Sequence, residues 1–106
     1  MATFTFELHK GFKTIDEKSL GGIDGYKAIH YACNWLSNYP PSNSNGIYAV
    51  HIGKKDKDGL YHYYCAVYQS SDGDYKKIKS GIETIVNPKT GRTVSSGKKK
   101  RIARRK

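Results

Sequence analysis

Proton transfer near neutral pH falls first to histidine, and this chain has four: His9, His30, His51 and His62. None belongs to a HExxH, HxH or CxxC-type cluster, so the sequence predicts neither a zinc site nor a cofactor. A P-loop and a GxSxG elbow are also absent from the sequence. His51 and His62 fall in strand-like segments on either side of Asp58-Gly59, with Lys55 and Tyr64 nearby. Two histidines and a lysine can serve as acid, base and phosphate clamp in metal-free RNA cleavage, which makes a ribonuclease one alternative. Polar histidines on the solvent side of a sheet account for the same residues without chemistry, and the expectation is a binding protein. Asp56, Asp58, Asp72 and Asp74 read as turn residues, not as the clustered carboxylates of a metal-dependent nuclease.

The cations are concentrated in one place. The formal net charge is +10, yet KKKRIARRK at residues 98–106 holds seven of the 19 Lys and Arg and no acid. The other twelve bases face nine acids, which leaves residues 1–97 at only +3. A block of like charge repels itself until a polyanion neutralises it. Nucleic acid is the commonest such partner, since each neutralised phosphate releases counterions. Lys98, Lys99, Lys100, Arg101, Arg104, Arg105 and Lys106 are therefore candidate nucleic-acid-binding residues. An anionic membrane surface is the physical rival. No apolar run approaches the ~20 residues of a membrane span. The opening MATFTFELHK does not resemble a secretory leader, so the sequence predicts a cytoplasmic protein, or a nuclear one in a eukaryotic host. Cys33 and Cys65 lie in apolar surroundings and read as buried free thiols.

The elements that must position these groups follow from periodicity. Phe4, Phe6 and Leu8 alternate with polar residues and predict a strand over 2–9. Residues 10–22, with Gly11, Gly21 and Gly22 among mixed charges, read as a loop. Asp24 is suited to cap a helix running to about Asn38. Tyr26, Ile29, Cys33 and Leu36 make its apolar stripe, and Ala28, Ala32 and Trp35 widen it. Pro40 and Pro41 stop it. Residues 47–53 and 60–69 form a hairpin around Asp58-Gly59. Strands follow at 75–79 and 82–87, with Gly81 as a candidate bulge, and a short strand at 92–96. The expected fold is α+β, with a single helix packed on one face of an antiparallel sheet of four to five strands in the order β-α-β-β-β-β. Residues 1–97 form the one domain, and 98–106 the basic tail.

One helix covers one sheet face and leaves the other open. If the turn at Asp58-Gly59 has two or four residues, Tyr48, Val50 and Ile52 share a face with Tyr61, Tyr63, Cys65 and Val67, which is assigned to the core. The open face then carries Ile47, Ala49, His51 and Lys55 with His62, Tyr64, Ala66 and Tyr68. Rings mixed with basic groups suit single-stranded nucleic acid, so Lys55, His51, His62, Tyr64 and Tyr68 join the candidate binding residues. Tyr-rich sheets also arise from strand propensity and cross-strand pairing alone. An open sheet with exposed aromatics resembles the RNA recognition motif, but GLYHYYCAVY lacks its RNP1 pattern. A helix, three strands and a basic final segment, Lys100-Arg101-Ile102-Ala103-Arg104, is similar to the double-stranded RNA-binding domain, without its strand motifs. The chain is identified as a member of neither family. The functional expectation is a small basic DNA- or RNA-binding protein. The alternative is a viral or mobile-element inhibitor that docks on a host nucleoprotein such as a nuclease or immune effector.

Overall fold

A computed structural model describes residues 2–94. It has one helix, α1 (Gly25–Leu36), and six strands: β1 (Ala2–Lys10), β2 (Lys13–Ile23), β3 (Tyr48–Lys55), β4 (Tyr61–Gln69), β5 (Tyr75–Lys79) and β6 (Ile82–Val86). The strands form a single antiparallel sheet in the order β2-β1-β3-β4-β5-β6. The α+β class and the helix on one face agree with the expectation from sequence. The strand number does not: there are six, because most of the segment 10–22, expected as a loop, belongs to β2 (Lys13–Ile23).

That extra strand returns through a two-residue turn, Gly11-Phe12, which brings Lys10 opposite Lys13. Gly11 takes φ +63°, a conformation glycine adopts without a Cβ penalty. β2 shows no apolar alternation because it is an edge strand that extends past the core. Only Leu20 and Ile23 are drawn in against the buried residues. Its polar sequence suits an edge that must not pair with other chains.

The helix starts where Asp24 caps it, its carboxylate accepting the Lys27 N–H at 2.8 Å. Ala28, Ile29, Ala32, Cys33, Trp35 and Leu36 are buried against Phe4, Phe6, Leu8, Val50, Ile52, Cys65, Val67 and Val86. Tyr26 departs from the expected stripe and stands 49% exposed. Tyr31, expected on the polar side, packs its ring on Phe6 with centroids 4.9 Å apart. Cys33 and Cys65 are free, buried thiols. Burial pushes Cys33 up to about 12 and Cys65 up to about 11, so both stay protonated and inert.

Two further details differ from the sequence reading. Gly81 is not a bulge: Ser80 and Gly81, at φ +53° and +78°, make the tight turn that joins β5 to β6. Of the short strand expected over 92–96, the described residues 92–94 form no regular strand: Thr93 makes an isolated bridge to Val86, and the Val94 N–H donates to the Ile85 carbonyl at 2.8 Å, while residues 95 and 96 lie outside the described residues. Among the described residues, no helix is long and apolar enough to cross a membrane.

Candidate nucleic-acid interface

The two faces of the sheet are divided by an irregularity in β3–β4. Val50 pairs with Val67 and Ile52 with Cys65, as a two-residue turn predicts, but Gly53 pairs with Tyr63. Tyr64 is therefore the extra residue of a bulge opposite Ile52 and Gly53. Beyond the bulge every side chain of β4 changes face. Tyr61 and Tyr63 stand on the open face, 57% and 64% exposed, and are not core residues. Tyr64 turns to the helix side, where its ring meets Phe4 edge-on at 5.5 Å. Gly25 leaves room for its hydroxyl, since a Cβ there would collide with the phenol.

The bulge also separates the two histidines that the sequence pairs as acid and base. His51 stays on the open face. His62 pairs across the strands with Lys54, whose neighbour on β1 is the core residue Phe4, and so belongs to the helix side of the sheet. Its Nε2 lies 2.9 Å from the Asp56 carboxylate. The partner of His51 is His9, with ring centroids 4.3 Å apart. Glu7 holds His9 at 3.0 Å, and Thr14 approaches the same nitrogen at 3.2 Å. The Tyr63 hydroxyl lies 3.4 Å from Nδ1 of His51. Burial, then the neighbouring His9, lowers the His51 pKa, against a smaller opposing pull from Glu7. Rings this close leave no gap for a scissile phosphate between them.

Other residues singled out from sequence keep their face but find local partners. Lys55 lies over the Tyr61 ring at 5.4 Å. The Tyr68 hydroxyl donates to Glu83 at 2.7 Å, and burial together with this carboxylate raises the phenol to about 12. Lys76 pairs with Glu83 at 3.8 Å. Glu7 and Glu17 oppose each other across β1 and β2. The open face thus carries carboxylates among its rings, an unfavourable field for a polyanion. Between them lies an apolar strip of Ile47, Ala49, Ala66 and Ile78. The tail candidates Lys98, Lys99, Lys100, Arg101, Arg104, Arg105 and Lys106 lie outside the described residues.

A different cluster of cations gathers on the helix side, at the β5–β6 end of the sheet. Lys77 opposes the core residue Val67 across β4, which puts it on the helix side, and Lys79 follows two residues later on the same side. The Lys79 ammonium lies 4.3 Å from the Tyr64 ring centroid. The Lys77 Nζ is 3.5 Å from the Thr93 hydroxyl. Arg92 stacks on Tyr26, its guanidinium carbon 4.3 Å from the ring centroid. Among the described residues none of the three has a carboxylate at ion-pair distance. The nearest acid of the helix, Asp24, is engaged in its cap.

Arg92 is positioned by the turn after β6. The Asn87 carbonyl accepts the Gly91 N–H at 2.7 Å, and the Asn87 N–H returns to the Arg92 carbonyl at 2.9 Å. Nδ1 of His30 lies 2.7 Å from the Pro88 carbonyl. A carbonyl can only accept, so Nδ1 carries the proton. Gly91, buried and at φ +74°, lies against the helix backbone; a Cβ would fall well inside contact distance of the Tyr26 carbonyl.

Comparison with protein-family models, with curated proteins and with solved structures finds no match. The functional reading therefore rests on this geometry and on the charge of the sequence. Sequence reasoning missed Lys77, Lys79 and Arg92 because they are scattered among ordinary surface lysines. The period-2 placement of Lys77 and Lys79 was the one signal that could have marked them.

Proposed function

We propose that this chain binds nucleic acid through the Lys77, Lys79 and Arg92 corner, continued by the basic tail. The observation that carries the reading is charge without compensation. Three cations on the helix side have no carboxylate partner among the described residues. Lys77 reaches the Thr93 hydroxyl and Arg92 precedes it in the chain, and only residues 95–97 separate Val94 from the first lysine of KKKRIARRK. A protein gains nothing in stability from massing like charges; a polyanion that releases counterions on binding offsets their repulsion. The open face, with Glu7, Glu17 and Glu83, is the less favourable side for phosphate. His51, Lys55 and Tyr68 would contribute there only as a secondary surface.

The test compares the full chain with one ending at Gly97, titrated against one fluorescent duplex at three salt concentrations. Each phosphate neutralised contributes about 0.9 to the salt slope on duplex DNA, so four tail contacts should steepen it by about three to four units. Equal affinity and slope in the two chains would remove the tail from the reading. Absence of salt-dependent binding by the full chain would overturn the reading. Capture of a protein partner that survives nuclease treatment would then favour the nucleoprotein-inhibitor alternative.

A further inference from the structure

We infer that the ligand of this corner is the phosphate backbone of double-stranded nucleic acid, gripped by cations seated on tyrosine rings and not by stacked bases. The inference rests on the nucleic-acid reading above and narrows it to one ligand class. Tyr26 and Tyr64 are the rings of this corner, and each is already occupied: Arg92 lies 4.3 Å over one and Lys79 4.3 Å over the other. On the face that each cation covers, a base could stack only by displacing it, which forfeits an interaction worth about 0.5–1 kcal/mol at an exposed site. The seated cation loses nothing toward phosphate. A guanidinium lying over a ring keeps N–H groups free to donate outward to phosphate oxygens.

The supports are rigid. Lys77 and Lys79 project from the same side of β5, two residues or ~6.7 Å apart along the strand. That backbone spacing puts both lysine stems within reach of neighbouring phosphates on one nucleic-acid strand. Arg92 is fixed by the turn that Gly91 presses against the helix. Cations carried on fixed backbone suit a stiff row of phosphates. A flexible single strand must be ordered to match it, and that ordering costs affinity. A duplex also hides its base faces, the part of the ligand for which this corner has no free ring, and offers one charge per ~1.7 Å of axis.

Full-length protein is titrated against a 20-mer single strand, the matching DNA duplex and the matching RNA duplex, each across a salt series. Duplex binding is expected to be tighter than single-strand binding at every salt concentration, and preference between the DNA and RNA arms identifies which duplex is held. The triple variant Lys77→Gln/Lys79→Gln/Arg92→Gln should flatten the duplex slope by about 0.9 for each phosphate no longer neutralised. Tyr26→Phe keeps the ring seat and should bind duplex as the parent does. Tyr26→Leu removes the seat that holds Arg92 in place and should weaken duplex binding by up to about fivefold, the ceiling set by one exposed cation–π interaction. A tighter single-strand complex, or an unchanged slope in the triple variant, would overturn the inference while leaving nucleic-acid binding intact. Failure of the full-length protein to bind any of the three would overturn both.

Discussion

The buried Gly91 lies so close to the Tyr26 carbonyl that a single added methyl group could not be accommodated. This contact joins the last turn to the first turn of α1, and Arg92 reaches the Tyr26 ring because of it. Gly91→Ala meets two penalties: a positive φ of 74° and a collision with helix backbone, which cannot swing aside as a side chain would. The expected loss is about 2–4 kcal/mol, read from urea denaturation. Asn87→Ala removes the side-chain acceptor of the Lys89 N–H in the same turn without adding bulk. It should cost about 1 kcal/mol. Equal small effects from both would mean that the turn is not pressed on the helix.

Much of the fold is legible in the sequence where one face is buried. Phe4, Phe6 and Leu8 alternate, and the helix shows its stripe and its Asp24 cap. The face of Tyr63 and Tyr64 was not legible, because a bulge reverses parity and leaves no mark on hydrophobic alternation in a run as aromatic as YHYYCAVY. Gly53 was the one hint, since glycine inside a strand often marks a bulge or a close approach. A Cβ at Gly53 would lie 2.9 Å from the Thr5 hydroxyl.

The exchange of faces has a direct consequence for stability. Tyr64→Ala removes a ring packed on Phe4 and under Lys79, and should cost about 2 kcal/mol or more. Tyr63→Ala trims a side chain that is 64% exposed and should cost under about 1 kcal/mol. Thermal denaturation of the two variants separates the arrangements, since the uninterrupted register predicts the reverse order.

β2 was illegible for a different reason. KTIDEKSLGGI pairs through its backbone and buries little, so neither alternation nor β-propensity identifies it. Its attachment to the core is slight: Leu20 and Ile23 pack from its end, and Lys18 lies 5.2 Å over Trp35. Leu36→Ala, in a side chain only 2% exposed, should therefore cost about 2–5 kcal/mol, whereas Ile15→Ala on the 41% exposed part of β2 should cost under about 1 kcal/mol. Hydrogen exchange adds an independent check: the amides of β2 should exchange faster than those of β1 and β3, which lie inside the sheet.

The tilted ring pair His9 and His51 makes the open face sensitive to acid. Burial and the neighbouring His9 lower the His51 pKa below its ordinary value of 6.5. The folded state therefore holds the ring neutral at a pH where the unfolded chain protonates it. Above the unfolded value both states are neutral, and the stability associated with this group is fully present. As pH falls through the unfolded value toward the depressed folded value, the unfolded state binds the extra proton and stability declines. Below the folded value both states are protonated and the decline from this group ends. His51→Gln removes the titration while keeping a side chain able to hydrogen-bond to Tyr63. The parent should lose stability between about pH 7 and pH 5, and H51Q should lose less over the same interval, measured by urea denaturation at each pH. An NMR titration supplies the microscopic check, with the His51 ring protonating below its ordinary value of 6.5. A His51 resonance that titrates at or above 6.5, with matching pH slopes in parent and variant, would show that the His9 contact and burial do not govern its charge.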